Sequence, residues 1–534
     1  MFESVKSKLI EKNGGTPPFE EEIEAVKEKA AQISENKKME GDLVFMTTYM
    51  ASAMTADVSR PELFEYTANR YEYISTKYIQ KVVFFVKRWN YSYSEGLRMV
   101  ADRVNNDMLK SMFNRYSNSI DSGVPDREFL DMELETARDV YRNTFEQGFE
   151  MLKKWGDAYI ALLFSSMLVA IILMISVAIY APSGIDAALN TAYALVLLTS
   201  GFGVALMYRA VPIDEKTIDR SMNHWCSREQ SMIDRLQKPI LIITAVGVFL
   251  LLLAGVNTGM VYMMIGLLLA PLGIIGYVDN HNVVLRDEDF PAFIRGVGSI
   301  MEGKGTTMVE AIREVDRKSL AALEPHINAA YTKLNLGLDD ALTWERFIGD
   351  CGTNLIAKYM NIFRDSVSLG GAPGVVGNIV GSSMLSQVLL RRKRDMVATS
   401  FIVLLVPMHI AMVGLFIALY EILHTMSEAV ADVMASLGES QAALTSSSDS
   451  IAGSMMGSMN MFVNFPEEKM VPFVMIILLM ITLSNIIAGK IVVGGDRYMV
   501  YFLSALLFTI TGLLILIMPP IIDYFFQIPQ FGAV

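Results

Sequence analysis

Seven long apolar runs constrain this chain more than any other feature of its sequence. The runs lie at 158–181, 187–211, 239–255, 259–278, 396–424, 470–493 and 498–522. An α-helix rises about 1.5 Å per residue, and crossing a hydrocarbon core of roughly 30 Å takes about 17–25 residues, so each run is long enough, the run at 239–255 only marginally so. The remaining segments show helical rather than strand-like periodicity. We therefore predict an all-α polytopic membrane protein with about seven transmembrane helices and two homologous cytoplasmic helical bundles.

The distribution of basic residues orients the chain in the membrane. Of 45 Lys and Arg residues, a single one, Lys469, falls in the segments on one side, which are 182–186, the turn near Asn257, 425–469 and 523–534. Because Lys and Arg near spans are retained in the cytoplasm, we predict a multi-pass cell-membrane protein with a cytoplasmic N-terminus and an extracellular C-terminus. The net charge of −12, with no domain that is basic throughout, argues against nucleic acid as a partner.

The spans divide the chain into predicted parts that alternate across the membrane. From the N-terminus these are a charged helical lead-in at 1–41, a first cytoplasmic bundle at 42–157, four transmembrane helices at 158–278 with an inner loop at 212–238, a second cytoplasmic bundle at 279–395, a transmembrane helix at 396–424, an extracellular acidic loop rich in Ser and Met at 425–469, two transmembrane helices at 470–522 and an extracellular tail at 523–534.

The two cytoplasmic bundles look like divergent copies of one unit. Residues 94–100 of the first copy match 309–315 of the second, and the helix that follows ends at Gly123 in one copy and at Gly337 in the other. Each glycine stands at a tight turn, where a positive φ strains glycine less than any other residue. Repeats of this kind predict two similar helical bundles that lie side by side.

No catalytic, cofactor-binding or metal-binding pattern emerges from the sequence. Residues 298–305 match the start of a phosphate-binding loop, but Gly305 stands where Ser or Thr would hold Mg²⁺, and no strand precedes the loop. Cys226 and Cys351 are far apart, and both are predicted to be cytoplasmic, where thiols stay reduced. We predict a protein that is not an enzyme, has no cofactor and depends on a partner for energy.

Two groups of basic residues are candidates for binding an acidic partner protein. They are Lys87, Arg88, Arg313, Arg317 and Lys318 on the bundles, and Arg391, Arg392, Lys393 and Arg394 just before the fifth span. Charge complementarity would speed and orient docking at either group. Anchoring of the fifth span against anionic headgroups of membrane lipids is an alternative role for the second group.

Three polar residues on the spans are candidates for a structural or coupling role. His409 lies near mid-bilayer, and ionisable residues at that depth are functional candidates by default. The alternative is a neutral imidazole that bonds a backbone carbonyl freed by Pro407. We expect Asn485 to join helices and Lys490 to reach the cytoplasmic face.

The order of bundle, four spans, bundle and three spans resembles the platform proteins of type II secretion and type IV pilus machines. The segments 391–400, 407–409 and 484–495 resemble in particular the archaeal, archaellum-associated branch of that family. The resemblance covers about 42–522. It implies a platform that couples a hexameric cytoplasmic secretion ATPase to assembly, and in the archaellum also to rotation, of a filament built from archaellin or pilin subunits. It also implies a homodimer.

Two other functions stay open at this point. The first is a platform for an archaeal adhesion pilus or a type II-like secretion system, which differs from the archaellum platform in the filament that it serves. The second, of a different class, is a membrane transporter or channel, which requires a polar pathway through the spans.

Overall fold

A computed structural model describes residues 18–180, 185–212, 214–218, 225–441, 466–495 and 498–525. Over these residues the chain forms sixteen α-helices and no β-strand, apart from a single bridge between Thr217 and Thr353. The all-α class predicted from the sequence is confirmed. Most of the predicted extracellular loop and tail, and the start of the lead-in, lie outside the described residues.

The helices are numbered here in chain order. They are α1 Pro18–Ala53, α2 Arg60–Ala68, α3 Thr76–Trp89, α4 Tyr93–Ala101, α5 Asp107–Asp121, α6 Asp126–Tyr180, α7 Ile185–Ala210, α8 Arg228–Leu253, α9 Thr258–Lys304, α10 Met308–Glu314, α11 Glu324–Asn335, α12 Asp340–Cys351, α13 Asn354–Ser368, α14 Pro373–Gln441, α15 Glu467–Val493 and α16 Met499–Phe525.

Seven of these helices are long and apolar enough to cross a membrane, as predicted. They are α6, α7, α8, α9, α14, α15 and α16. Three of them start or end far outside the apolar runs, since α6 has 55 residues, α9 has 47 and α14 has 69. The first apolar run therefore begins inside a helix that has already continued for some thirty residues, from Asp126.

The first compact unit consists of Met1–Glu146, Pro212–Trp225 and Val284–Leu390. Both duplicated segments contribute to it and contact each other. The rings of Phe45 and Tyr359 lie 5.1 Å apart, and the hydroxyl of Thr48 donates a hydrogen bond of 3.0 Å to Ser383. The boundaries that we drew for two separate bundles, 42–157 and 279–395, stay predictions.

Matched turns support the duplication inside this unit. Asn90 ends α3 with a φ of 58°, and Gly305 ends α9 with a φ of 61°. Further along, Gly123 and Gly337 have φ values of 75° and 72°. Left-handed residues at equivalent places mean that the backbone reverses in the same way in both segments.

The inner loop before α8 packs on the second duplicated segment. The amide of Asn354 donates to the carbonyl of Lys216 over 3.0 Å, next to the Thr217 bridge. Glu215 pairs with Lys38 of α1 at 2.7 Å. Residues 215–217 thus contact both α1 and the second duplicated segment.

The second compact unit consists of Gln147–Val211, Cys226–Val283 and Arg391–Val534, and includes the apolar parts of the seven long helices. Small residues let α9 and α16 approach closely. A methyl group on Gly512 would stand 2.4 Å from the backbone nitrogen of Met263, and one on Gly266 would stand 2.6 Å from that of Thr509. Small residues at such crossings allow the backbone contact that stabilises helix pairs in lipid.

Candidate functional site

Helix α3 presents the first pair of candidate basic residues at its C-terminal end. Ile79, Val82 and Phe85 of this helix are buried in the core of the first unit. That packing leaves Lys87 and Arg88 exposed. Lys87 forms an ion pair of 2.6 Å with Glu65, and both side chains are about half exposed. Exposed pairs of this kind contribute about 0–1 kcal/mol, so a partner protein can displace Glu65 at little loss of stability.

Two large aromatic side chains stand beside these charges and were not among the sequence candidates. Phe84 is 53% exposed and Trp89 is 56% exposed. The Trp89 ring lies 6.4 Å from that of Phe84 and 5.4 Å from that of the buried Phe85. Both residues lie outside the apolar stripe that α3 buries in the core. An aromatic residue outside such a stripe is left exposed, so the helical periodicity of the sequence could have identified them.

The candidate basic residues of the second copy lie at the end of α10 and in the segment between α10 and α11. Arg313 and Lys318 are exposed. Arg317 is held in place, since its Nη1 donates to Asn328 over 2.6 Å and its guanidinium lies 5.1 Å from the centre of the Tyr331 ring. Arg313 and Lys318 are therefore the more accessible charges for a partner.

The basic cluster before the fifth span divides into buried and exposed members. Arg392 and Lys393 are exposed, whereas Arg391 and Arg394 are buried. Arg394 donates to the carbonyls of Ile491 over 3.2 Å and, more weakly, of Val492. A partner protein cannot reach a side chain that is already buried against another helix. We therefore remove Arg391 and Arg394 from the candidate docking residues and keep Arg392 and Lys393.

The last turn of α15 explains why Arg394 is buried there. The final carbonyls of a helix lack partners within the helix and carry the negative end of its dipole. Arg394 bonds two of these carbonyls, and Lys490 donates to the carbonyls of Gly494 and Gly495 over 2.9 Å each. Lys490 thus closes the turn after α15 through its ammonium group.

His409 is fully buried on α14 and bonds two other helices. Its Nε2 lies 2.9 Å from the hydroxyl of Thr511 on α16, and its Nδ1 lies 3.0 Å from the amide nitrogen of Asn485 on α15. The side-chain oxygen of Asn485 accepts a bond of 2.9 Å from the hydroxyl of Tyr159 on α6. His409 and Asn485, two of the three intramembrane candidates, are therefore in direct contact and join four membrane helices.

The hydrogen bonds of this group have one consistent direction. Thr482 donates to the carbonyl of Leu478 over 2.7 Å, so its oxygen is free to accept from Thr511 at 3.1 Å. Thr511 must then accept from His409, which places the proton on Nε2 and leaves Nδ1 to accept from Asn485. We call Tyr159, Asn485, His409, Thr511 and Thr482 the intramembrane polar chain. A neutral histidine satisfies this bonding pattern.

A buried ionic contact joins the two duplicated segments and was not anticipated. Asp42 of α1 is 4% exposed and accepts bonds from the backbone and hydroxyl of Ser75, at 2.9 and 2.6 Å. Lys358 of α13 approaches it to 3.9 Å. Burial raises the pKa of the Asp42 carboxyl, and the positive charge of Lys358 and the bonds from Ser75 offset that rise in part.

The described residues contain no group of three or more potential metal ligands. Cys226 and Cys351 are free thiols. Burial raises the pKa of the Cys351 thiol, which keeps it protonated and poorly nucleophilic.

Two curated proteins are similar to this chain. Flagella accessory protein J of Methanocaldococcus jannaschii is 24% identical over 383 residues, which is 68% of this chain and 66% of that protein. Flagella accessory protein J of Methanococcus voltae is 24% identical over 335 residues, which is 59% of this chain and 58% of that protein. The match thus covers less than two thirds of the length of each relative. No family model matches the chain, and no solved structure matches it.

Proposed function

We propose that this chain, which is similar to two proteins named flagella accessory protein J, is an archaellum-type accessory membrane protein and the membrane platform of an archaeal filament machine. In this role it couples a hexameric cytoplasmic secretion ATPase to the assembly and rotation of an archaellum. The platform itself needs no catalytic site.

The proposal is supported by the combination of a basic helical unit and membrane-spanning helices in one chain. The duplicated segments form a compact helical unit with exposed basic residues in both copies, and the same chain has seven helices able to span a membrane. A basic surface attracts an acidic protein partner, and the long helices α6, α9 and α14 each contribute residues to both compact units. Motion imposed by an ATPase on the first unit would therefore act directly on helices that enter the membrane.

The exposed basic residues are the proposed ATPase contacts. The set is Lys87, Arg88, Arg313, Lys318, Arg392 and Lys393, with Arg317 as a partly constrained member. The membrane helices would receive archaellin or pilin subunits from the bilayer. We propose that the protein works as a homodimer in contact with membrane lipids, with its N-terminus in the cytoplasm and its C-terminus outside the cell.

Deletion of the gene followed by electron microscopy of the cell surface tests this function. We expect the swimming filaments to disappear while thin adhesive pili remain. Loss of the thin pili with intact swimming filaments would instead assign the protein to an adhesion pilus. Retention of both filament types would contradict a platform role.

A further inference from the structure

We infer that one exposed face of α3 anchors an acidic protein partner through aromatic side chains. This face, the α3 docking face, consists of Lys77, Lys81, Phe84, Arg88 and Trp89. The inference rests on the proposed function, and it adds the chemistry by which the ATPase is recognised.

The spacing of these residues produces a continuous stripe. Lys81, Phe84 and Arg88 follow Lys77 by four, seven and eleven residues, and such intervals return to the same side of an α-helix. The opposite side of α3 is buried in the core. Trp89, the last residue of the helix, lies within ring contact of Phe84.

The aromatic side chains on this face are placed as binding anchors. Phe84 and Trp89 are each more than half exposed, and Tyr91 continues the set with its ring 6.2 Å from that of Trp89. Tryptophan, tyrosine and arginine are the side chains that most often dominate the energy of a protein interface. Contacts with the buried Phe85 hold Trp89 in one place before binding, which reduces the entropy that binding must remove.

The positive charge of the α3 docking face favours a partner with an acidic surface. Helix α3 contains four basic residues and no acidic one. Lys77 pairs with Glu35 and Lys87 pairs with Glu65, but among the described residues no acidic side chain forms an ion pair with Lys81 or Arg88. An acidic surface that surrounds an apolar pocket would satisfy these charges and cover both aromatic rings.

The second copy differs at the same face. When Gly96 is matched with Ala311, Ser299 and Gly303 occupy the positions of Phe84 and Arg88. There they line an open groove together with Gly374 and Val375 at the start of α14. Small residues in the second copy thus border a groove that a helix of the same chain also lines, while the first copy has large and charged residues that are exposed. The duplication has diverged at the positions that a partner would contact.

Charged and aromatic contacts leave different signatures in a binding experiment. Salt screens charges, so the basic residues should make binding dependent on ionic strength. Buried aromatic rings contribute through apolar contact, which salt does not weaken in this way. The two contributions can therefore be separated with one titration.

The test measures binding of the secretion ATPase of the same organism to the full-length chain in detergent, at several salt concentrations. We expect Trp89→Ala and Phe84→Ala to weaken the Kd at least tenfold with an unchanged salt dependence, and Trp89→Phe to retain most of the affinity. The charge reversal Lys81→Glu with Arg88→Glu should weaken binding and flatten the salt dependence. Tyr71→Ala, which removes a side chain that is 79% exposed outside α3, is the matched control. Unchanged thermal unfolding shows that each variant is folded.

The outcomes separate this inference from the proposed function. If both aromatic variants bound with wild-type affinity while the charge reversal lost binding, the anchoring role of Phe84 and Trp89 would be wrong. The proposal that the ATPase docks on this protein would still stand. Failure of the wild-type chain to bind the ATPase would overturn the proposed function. Quenching of Trp89 fluorescence by brominated lipid in proteoliposomes, measured against Trp89→Phe, would assign the face to the membrane surface and overturn the inference.

Discussion

The side-chain nitrogen of Asn485 lies 3.0 Å from Nδ1 of His409, and this contact joins α15 to α14. Because the amide nitrogen can only donate, Nδ1 must accept, and the ring proton lies on Nε2 facing Thr511. A second proton on Nδ1 would oppose the amide donor of Asn485 unless the amide turned over, in which case the Asn485 oxygen would accept from His409 and its NH2 group would donate to the Tyr159 hydroxyl. With the amide oriented as in the structure, a neutral imidazole satisfies every bond of the intramembrane polar chain.

Replacement of His409 by Phe should destabilise the second compact unit. The change leaves the amide of Asn485 and the hydroxyl of Thr511 without their partner in a buried site, which costs about 1–3 kcal/mol for each group. Denaturant or thermal unfolding of the detergent-solubilised chain measures the loss. His281→Phe alters an exposed histidine and is the control. Equal midpoints for the two variants would show that the chain of bonds does not stabilise the fold.

Replacement of Arg394 by Gln should lower stability by about 1–3 kcal/mol, because the carbonyls of Ile491 and Val492 lose a charged donor at the C-terminus of α15. Arg392→Gln removes an exposed neighbour of the same chemistry and should change stability by no more than about 0.5 kcal/mol. Unfolding midpoints of the two variants give the comparison. If Arg392→Gln proved the more damaging change, the assignment of Arg394 as a helix cap would be wrong.

Replacement of Gly512 by Ala should separate α9 from α16. The added methyl group would meet the backbone of Met263 at 2.4 Å, and a backbone atom cannot move aside as a flexible side chain can. We expect a lower unfolding temperature. Gly414→Ala is the matched control, since no atom lies within 4 Å of its added methyl group. Similar unfolding temperatures for both variants would contradict the close contact.

The sequence was sufficient for the membrane helices and insufficient for the contacts between them. A run of about twenty apolar residues directly predicts a membrane-spanning helix, because the thickness of the bilayer sets the length of such a helix. His409 and Asn485 could be singled out one at a time, but their separation of 76 positions conceals a contact that only the packing of α14 on α15 creates. Arg394 was grouped with the docking candidates for the same reason, since the carbonyl of Ile491 that it bonds is 97 residues away.

Asp42 should make stability depend on pH in a defined direction. Its carboxyl titrates near the ordinary pKa of 3.8 in the unfolded chain and at a raised pKa in the folded protein, so ionisation of Asp42 lowers stability as pH rises between the two values. Asp42→Asn keeps an oxygen for Ser75 and removes this penalty. Its stability relative to wild type should therefore improve between about pH 4 and pH 7.

Chemical unfolding at both ends of this pH range measures the effect for Asp42. Asp102→Asn, an exposed carboxylate, is the control and should show no such trend. A relative stability of Asp42→Asn that falls as pH rises would mean that the pair with Lys358 outweighs burial.

Co-purification of the secretion ATPase with the full-length chain tests the central claim most directly. The measurement compares wild type with Arg313→Glu combined with Lys318→Glu, two exposed residues of the second copy, in solubilised native membranes. We predict that wild type retains the ATPase, and that the variant inserts into the membrane normally and loses it. Equal recovery of the ATPase with both chains would remove these residues from the contact, and absence of the ATPase from the wild-type preparation would contradict the coupling of this protein to a secretion ATPase.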